Sequence, residues 1–332
     1  MPGKFKVKSK VNLDQCEVGA ELPESDFCTL TPSGNFVQLE YIEEESKPRS
    51  ITVKPGIWSI VSTYAGLNLS KTQFTNDRML DSFLHTKDIE AKIDSFFSRL
   101  HIYREYGFDI PKRTMLFYGP AGSGKTSLIN KACNKYVEAG NTAIVIWRTD
   151  RHEPYDVKQL FKSFKYEGVE RIILIAEDLG GIEMDQIRIK SESSLLALLD
   201  NQEKTFTLPT LIMITTNYPE NFLGNLMNRP QRIDDKIEVG LPDKESRKQL
   251  FQFFARPGQD VTEDILKIVE SRRCEDFTPA HIKEVFIRSA IYELPLEQSI
   301  HMISDEIAQY KNAFTKKTKL GISKASTFDD FE

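Results

Sequence analysis

The 332-residue sequence lacks any apolar run near the ~20 residues that cross a bilayer, so no transmembrane helix is expected. Its first ten residues alternate lysine with other types and have no apolar core, which argues against a signal peptide. Cysteine is scarce. Cys16, Cys28, Cys133 and Cys274 stand apart without paired spacing, which excludes a zinc-ribbon or disulfide framework and fits a reducing compartment. The five histidines are equally dispersed. An excess of positive charge is also missing: 44 Lys and Arg against 49 Asp and Glu leave −5, so nothing drives the chain as a whole toward nucleic acid, although a local basic patch would. With 40% hydrophobic and 28% charged residues, the composition is that of an ordinary soluble chain of about two domains. A cytoplasmic location is the expectation.

What is present is a phosphate cradle. Gly119-Pro120-Ala121-Gly122-Ser123-Gly124-Lys125-Thr126 fits G-x-x-x-x-G-K-[ST]. The apolar segment Thr114–Tyr118 precedes it and reads as a buried strand. Ser127–Ala139, free of Gly and Pro, follows and reads as a helix. Glycines let backbone N–H groups turn onto phosphate oxygens, and the helix N-terminus adds its positive dipole end. In that geometry Lys125 reaches the β- and γ-phosphates of ATP, and the Thr126 hydroxyl ligates Mg2+.

Around the cradle, strand and helix alternate. Strands are expected at Thr142–Trp147, Arg171–Ala176, Thr210–Thr215 and Lys236–Val239, with an apolar helix around Leu195, Leu196, Leu198 and Leu199. Such alternation predicts an α/β fold of the P-loop NTPase kind, a parallel sheet with helices on both faces. Ligands then sit beyond the carboxyl ends of the strands. Ahead of it, residues 1–75 read as a separate β-rich unit, with Ile51–Val53 and Ile57–Val61 as two strands around Pro55-Gly56, and Asp88–Tyr106 reads as one amphipathic helix. After residue 243 only helices are expected, at Glu245–Phe254, Glu263–Glu270, Pro279–Glu293 and Leu296–Phe314, forming a small all-α lid. The domain plan is therefore 1–75, 83–243 and 244–314, with a flexible polar tail over 315–332.

Two further strand tips carry chemistry. Ile172–Ala176 ends in Glu177-Asp178, two carboxylates of the kind that hold a Mg2+ shell and deprotonate an attacking water. Leu211–Thr215 runs into Thr216-Asn217, whose amide suits the attacking water or the γ-phosphate. Arg229 and Arg232 lie three apart before the fifth strand. They either pair with local acids or, in a ring of copies, reach a neighbour's γ-phosphate, for which planar, always-charged guanidinium is suited.

Taken in order and spacing over residues 83–292, these segments resemble the AAA+ ATPases. Arg229-Pro230-Gln231-Arg232-Ile233-Asp234 resembles the family's R-P-G-R segment, and Phe277–Ile282 resembles its lid motif. Within the family the nearest likeness is to the mitochondrial Rieske-protein translocases. It rests on Ile110-Pro111-Lys112-Arg113, the Glu177-Asp178 order, Leu195–Asp200 and Thr215-Thr216-Asn217-Tyr218-Pro219-Glu220. The resemblance implies Glu177 on Mg2+, Asp178 as base, Asn217 as sensor, and Arg229 and Arg232 as arginine fingers. It also implies a homo-oligomeric ring, a hexamer or similar, acting as a chaperone-like hydrolase. Departures are Gly180 for a further Asp, Gln231 for the motif glycine and Ala280 for a sensing Arg. Thr149–Tyr155 also replaces the aromatic-hydrophobic-Gly loop of threading unfoldases; Tyr166-Glu167-Gly168 lies too close to the third strand to serve as that loop and reads as a helix end. The leading expectation is an ATPase that remodels or moves a macromolecular partner, a protein first. The alternative is an ATP-gated, clamp-loader-like module on nucleic acid with slow hydrolysis. A small-molecule kinase leaves both arginines and the lid unexplained.

Overall fold

The computed structural model describes residues 4–11, 28–30, 36–42, 50–64, 66–75, 86–179, 195, 197–200, 205–219 and 232–321, with side chains from residue 50 to 311. Among them, a seven-stranded sheet organises the chain. Its strands are β5 (Gly56–Thr63), β6 (Gly66–Lys71), β7 (Lys112–Tyr118), β8 (Thr142–Arg148), β10 (Arg171–Glu177), β11 (Thr210–Thr216) and β12 (Asp235–Glu238). The order is β12-β7-β11-β10-β8-β5-β6, and every neighbouring pair is parallel except β5–β6. A three-stranded antiparallel sheet holds β1 (Lys4–Val11), β2 (Cys28–Leu30) and β3 (Phe36–Ile42), with a register slip between Val7 and Ser9. β4 (Ile51–Val53) pairs in parallel with β9 (Phe164–Tyr166).

The sheet is buried on both faces, as parallel strands require. On one face Ile173, Ile175 and Met213 meet Leu128, Ile129 and Ala132 of α3 (Lys125–Glu138) and Ile93 of α1 (Thr86–Ser98). On the other, Ile172, Leu174 and Ile212 meet Val157 and Phe161 of α4 (Pro154–Lys162) together with Leu195, Leu198 and Leu199. Each such Leu or Ile contributes about 1.5–3 kcal/mol by leaving water.

Four expectations need correcting. The boundary at residue 75 does not follow the sheet, because β5 and β6 extend it beyond β8. Ile57 and Ile60 bury on opposite faces of β5, which makes it an inner strand and covers the edge that β8 would otherwise leave open. The two strands flanking Pro55-Gly56 therefore join different sheets. Tyr166-Glu167-Gly168, which reads as a helix end, instead closes β9, whose partner β4 is remote in sequence. The helix at 88–106 breaks at Arg99 into α1 and α2 (Leu100–Glu105).

A third core belongs to the helices after the sheet: α5 (Lys244–Phe254), α6 (Glu263–Glu270), α7 (Pro279–Ile291) and α8 (Leu296–Gly321). Asp243, Thr262 and Thr278 cap the first three, each accepting a backbone N–H of the first turn. α8 continues past the expected stop at Phe314, since no Gly or Pro interrupts it before Gly321. Residues 322–332, with Phe328 and Phe331, lie outside the described residues.

Candidate active site

The Gly119–Thr126 loop joins the carboxyl end of β7 to the N-terminus of α3. Gly119 is required by sterics: its φ is +149°, and a Cβ there would stand 2.1 Å from the Val239 carbonyl oxygen. Gly119→Ala is expected to cost about 3 kcal/mol, because backbone strain and the clash add. Urea denaturation checks this, and an unchanged midpoint contradicts the close approach. Gly122 (φ +76°) lies against the start of α7. Its carbonyl accepts the Ala280 N–H at 3.2 Å, and a Cβ on it would meet Ala280 Cβ at 2.9 Å. The loop and the helical lid are thereby in direct contact.

Lys125 is buried at the centre of the site. Its ammonium donates to Gly119 O (2.9 Å), Pro120 O (2.9 Å) and Asn217 Oδ1 (2.7 Å), which uses all three of its donors. Asn217 in turn donates a long hydrogen bond, 3.4 Å, to Asp178 Oδ1. Burial lowers the Lys125 pKa, and Asp178 opposes that shift. The tips of β7, β10 and β11 thus place Lys125, Asp178 and Asn217 in one chain of contacts.

Asp178 has φ +54°, a left-handed conformation that Asp tolerates better than most residues. The Thr215 hydroxyl accepts its backbone N–H (3.0 Å), and Thr215 O accepts the Leu179 N–H (2.8 Å), so β11 fixes the turn that aims Asp178. Glu177 follows the strand alternation of Ile173 and Ile175 and so belongs to the α3 side of the sheet. Burial raises its pKa, while Arg148 lowers it.

The loop suits a polyphosphate on this chain's own features. Gly119 and Gly122 leave no room for Cβ atoms, Lys125 supplies charge, and the buried Ser123 hydroxyl has no protein partner. Ala121, like Gly122, is exposed at the rim, Gly124 (φ +97°) begins α3, and Thr126 sits half-buried in its first turn. Thr126 and Glu177 are hard oxygen donors, as Mg2+ demands. Among the described residues no cluster of three or more metal-binding side chains exists.

Arg232 does not lie on an exposed turn. It is 8% exposed, and its guanidinium forks onto Asp200 through Nε–Oδ1 (2.8 Å) and Nη2–Oδ2 (2.9 Å). Of the two readings of this arginine, local pairing is what the structure contains. Arg229 lies outside the described residues. Asp234 N donates to Thr114 O, and Asp235 stands opposite Met115, so Arg232 is level with the amino end of β7. The cradle is at the other end, about 20 Å away along the strand, further than an arginine side chain extends. An open cavity of about 400 Å³ also lies toward that end, lined by Phe96, Arg99 and Tyr103; its Lys92 and Arg113 both pair with Asp235.

Residues 115–241 match the family described as "ATPase family associated with various cellular activities (AAA)". The chain carries an AAA ATPase domain. It runs from Met115 in β7 to Leu241 after β12 and contains the loop, both carboxylates and Asn217. Relatives include the ATP-dependent zinc metalloprotease FtsH 2 of Alkaliphilus metalliredigens, 30% identical over 222 residues, covering 61% of this chain and 30% of that protein. A Cell division cycle protein 48 homolog of Archaeoglobus fulgidus is 29% identical over 174 residues, covering 49% and 23%. The proteasome-activating nucleotidase of Saccharolobus islandicus is 26% identical over 214 residues, covering 61% and 53%. The chain therefore spans less than two thirds of each relative's length. Three AAA-domain residues bear on the site without a role assigned from sequence. Thr215 and Asp200 fall inside quoted motifs, but their partners are distant in sequence. Val239, which sets the close approach to Gly119, carries no sequence signal at all.

Proposed function

We propose that the chain hydrolyses ATP as a ring of identical copies and uses the cycle to remodel or move a protein partner. The observation that carries this is the contact chain Lys125–Asn217–Asp178 at the cradle, with Arg232 level with the opposite end of β7. One chain alone cannot bring Arg232 to its own phosphates, whereas a neighbour's Arg229 could reach them.

Lys125 exchanges the loop carbonyls for β- and γ-phosphate oxygens. Asn217 orients the attacking water, and Asp178 accepts its proton as the water oxygen bonds to the γ-phosphorus in line and the bond to the β–γ bridging oxygen breaks, with ADP leaving and phosphate released. Thr126 and Glu177 would hold Mg2+, which would supply positive charge to offset that of the polyphosphate. Arg229 acts on the neighbouring copy's nucleotide, and Arg232, held by its fork to Asp200, anchors the segment that carries it. The Ala280–Gly122 hydrogen bond gives the lid a direct reading of the loop.

The Rieske-translocase likeness supports a partner moved in folded form. The absence of an aromatic-hydrophobic-Gly sequence in Thr149–Tyr155 favours this over threading. A cytoplasmic setting accords with this reading. No described helix is long and apolar enough to cross a membrane.

Asp178→Asn is the decisive test, since Asn also tolerates the left-handed backbone. ATP affinity should stay within a few-fold while phosphate release falls about 10²- to 10⁴-fold. Turnover at the wild-type rate removes Asp178 as the base. The bound, non-hydrolysing form is then suited to crosslinking the partner.

A further inference from the structure

Arg148 is the last residue of β8 and the register partner of Glu177 on β10, so the two Cα atoms are about 4.8 Å apart. Both follow the alternation that puts Ile144, Ile146, Ile173 and Ile175 on the α3 side of the sheet. Arg148 does not close on Glu177 in an ion pair. Its Nε instead approaches Asp150 Oδ1 at 3.4 Å, and its side chain is 43% exposed and has room to swing. The segment that follows is tied to the same tip, because both Thr149 N (3.3 Å) and Thr149 Oγ1 (2.8 Å) donate to the Glu177 carbonyl.

We propose that Arg148 is a positioning residue for the metal-binding carboxylate, shared between Glu177 and Asp150, with Asp150 holding it away so that Glu177 is available to Mg2+. This rests on the ATPase reading above and assigns it a chain-specific control. The positive charge of Arg148 competes with the cation for Glu177. The Arg148–Asp150 clasp sets the balance, and the two Thr149 hydrogen bonds to the Glu177 carbonyl fix the backbone on which both partners sit.

The test is the Mg2+ concentration that half-saturates the tightening of a fluorescent ATP analogue on the full-length chain, a binding readout independent of turnover. Arg148→Gln is expected to lower that half-point by about 3- to 10-fold, since a nearby positive charge is removed. Asp150→Asn is expected to raise it about threefold, by freeing Arg148 to bind Glu177. In the double variant the Asp150→Asn effect disappears and the half-point equals that of Arg148→Gln. Arg148→Lys should stay near the wild-type value. A packing role alone would weaken nucleotide binding at every Mg2+ concentration without moving the half-point. Additive effects in the double variant overturn the clasp and leave the ATPase reading standing, because two charges acting independently would add. Nucleotide binding that ignores Mg2+ in the wild-type chain overturns both.

Discussion

Lys125→Ala is expected to abolish measurable ATP binding, with affinity falling about 10²- to 10³-fold, while leaving the protein at least as stable as the wild type. The two effects separate because of where the ammonium sits. It is 6% exposed, and burial lowers its pKa, so keeping it charged works against the fold. Its three hydrogen bonds to Gly119 O, Pro120 O and Asn217 Oδ1 offset that cost, and two of those acceptors are loop carbonyls near the surface that water can serve. Alanine therefore removes a desolvated charge and leaves its acceptors to water, so that loss and gain nearly offset in stability. ATP has no such substitute. Contacts from Lys125 to phosphate oxygens are charge-assisted, and losing two of them is worth about 3–4 kcal/mol. Titration with a fluorescent ATP analogue, alongside a thermal melt, checks both halves. Wild-type affinity would mean that the loop binds phosphate through backbone N–H groups alone, and a collapsed melt would make Lys125 a structural residue.

Much of this site is legible in the sequence because its parts are local. The glycine loop dictates its own backbone, and the strands end where apolar runs meet polar residues, so the tips carrying Glu177, Asp178 and Asn217 are found within a residue or two. The parallel sheet follows from the alternation of apolar strands with helices. What the sequence hides is pairing at a distance. β5 reads as part of a separate unit because nothing in Gly56–Thr63 names β8 as its partner, and β9 reads as a helix end because three residues carry no period. The Arg232–Asp200 fork is hidden for the same reason: Arg232 alone looks like an exposed charge on a turn, and Asp200 like the polar end of an apolar helix. Thr215 is the instructive case. It stands inside a recognisable Thr-Thr-Asn motif, yet its task, accepting the Asp178 N–H, follows only from the left-handed turn that a run of apolar residues does not announce.

Arg229→Ala is expected to cut ATP turnover about 10³-fold or more with binding and stability preserved, the magnitude set by a guanidinium that stabilises the transferring phosphoryl group. Arg232→Ala should differ in kind. Its fork with Asp200 is largely buried, with side chains 10% and 18% exposed, so truncation strands a carboxylate and costs about 3 kcal/mol of stability besides any loss of turnover. A thermal melt separates the two variants. Whether the arginines act across copies is settled by mixing. An Arg229→Ala chain keeps a working cradle, and a Lys125→Ala chain keeps its arginines. In a head-to-tail ring each complete site needs one cradle and the neighbour's arginine, so equimolar mixing of two inactive proteins should restore activity at about a quarter of the sites. Had the arginines served their own chain, no mixture could regain turnover. The register of β12 against β7 sets Arg232 at the far end of the strands from the loop, so any contact between Arg232 and a γ-phosphate would have to be made by a second copy.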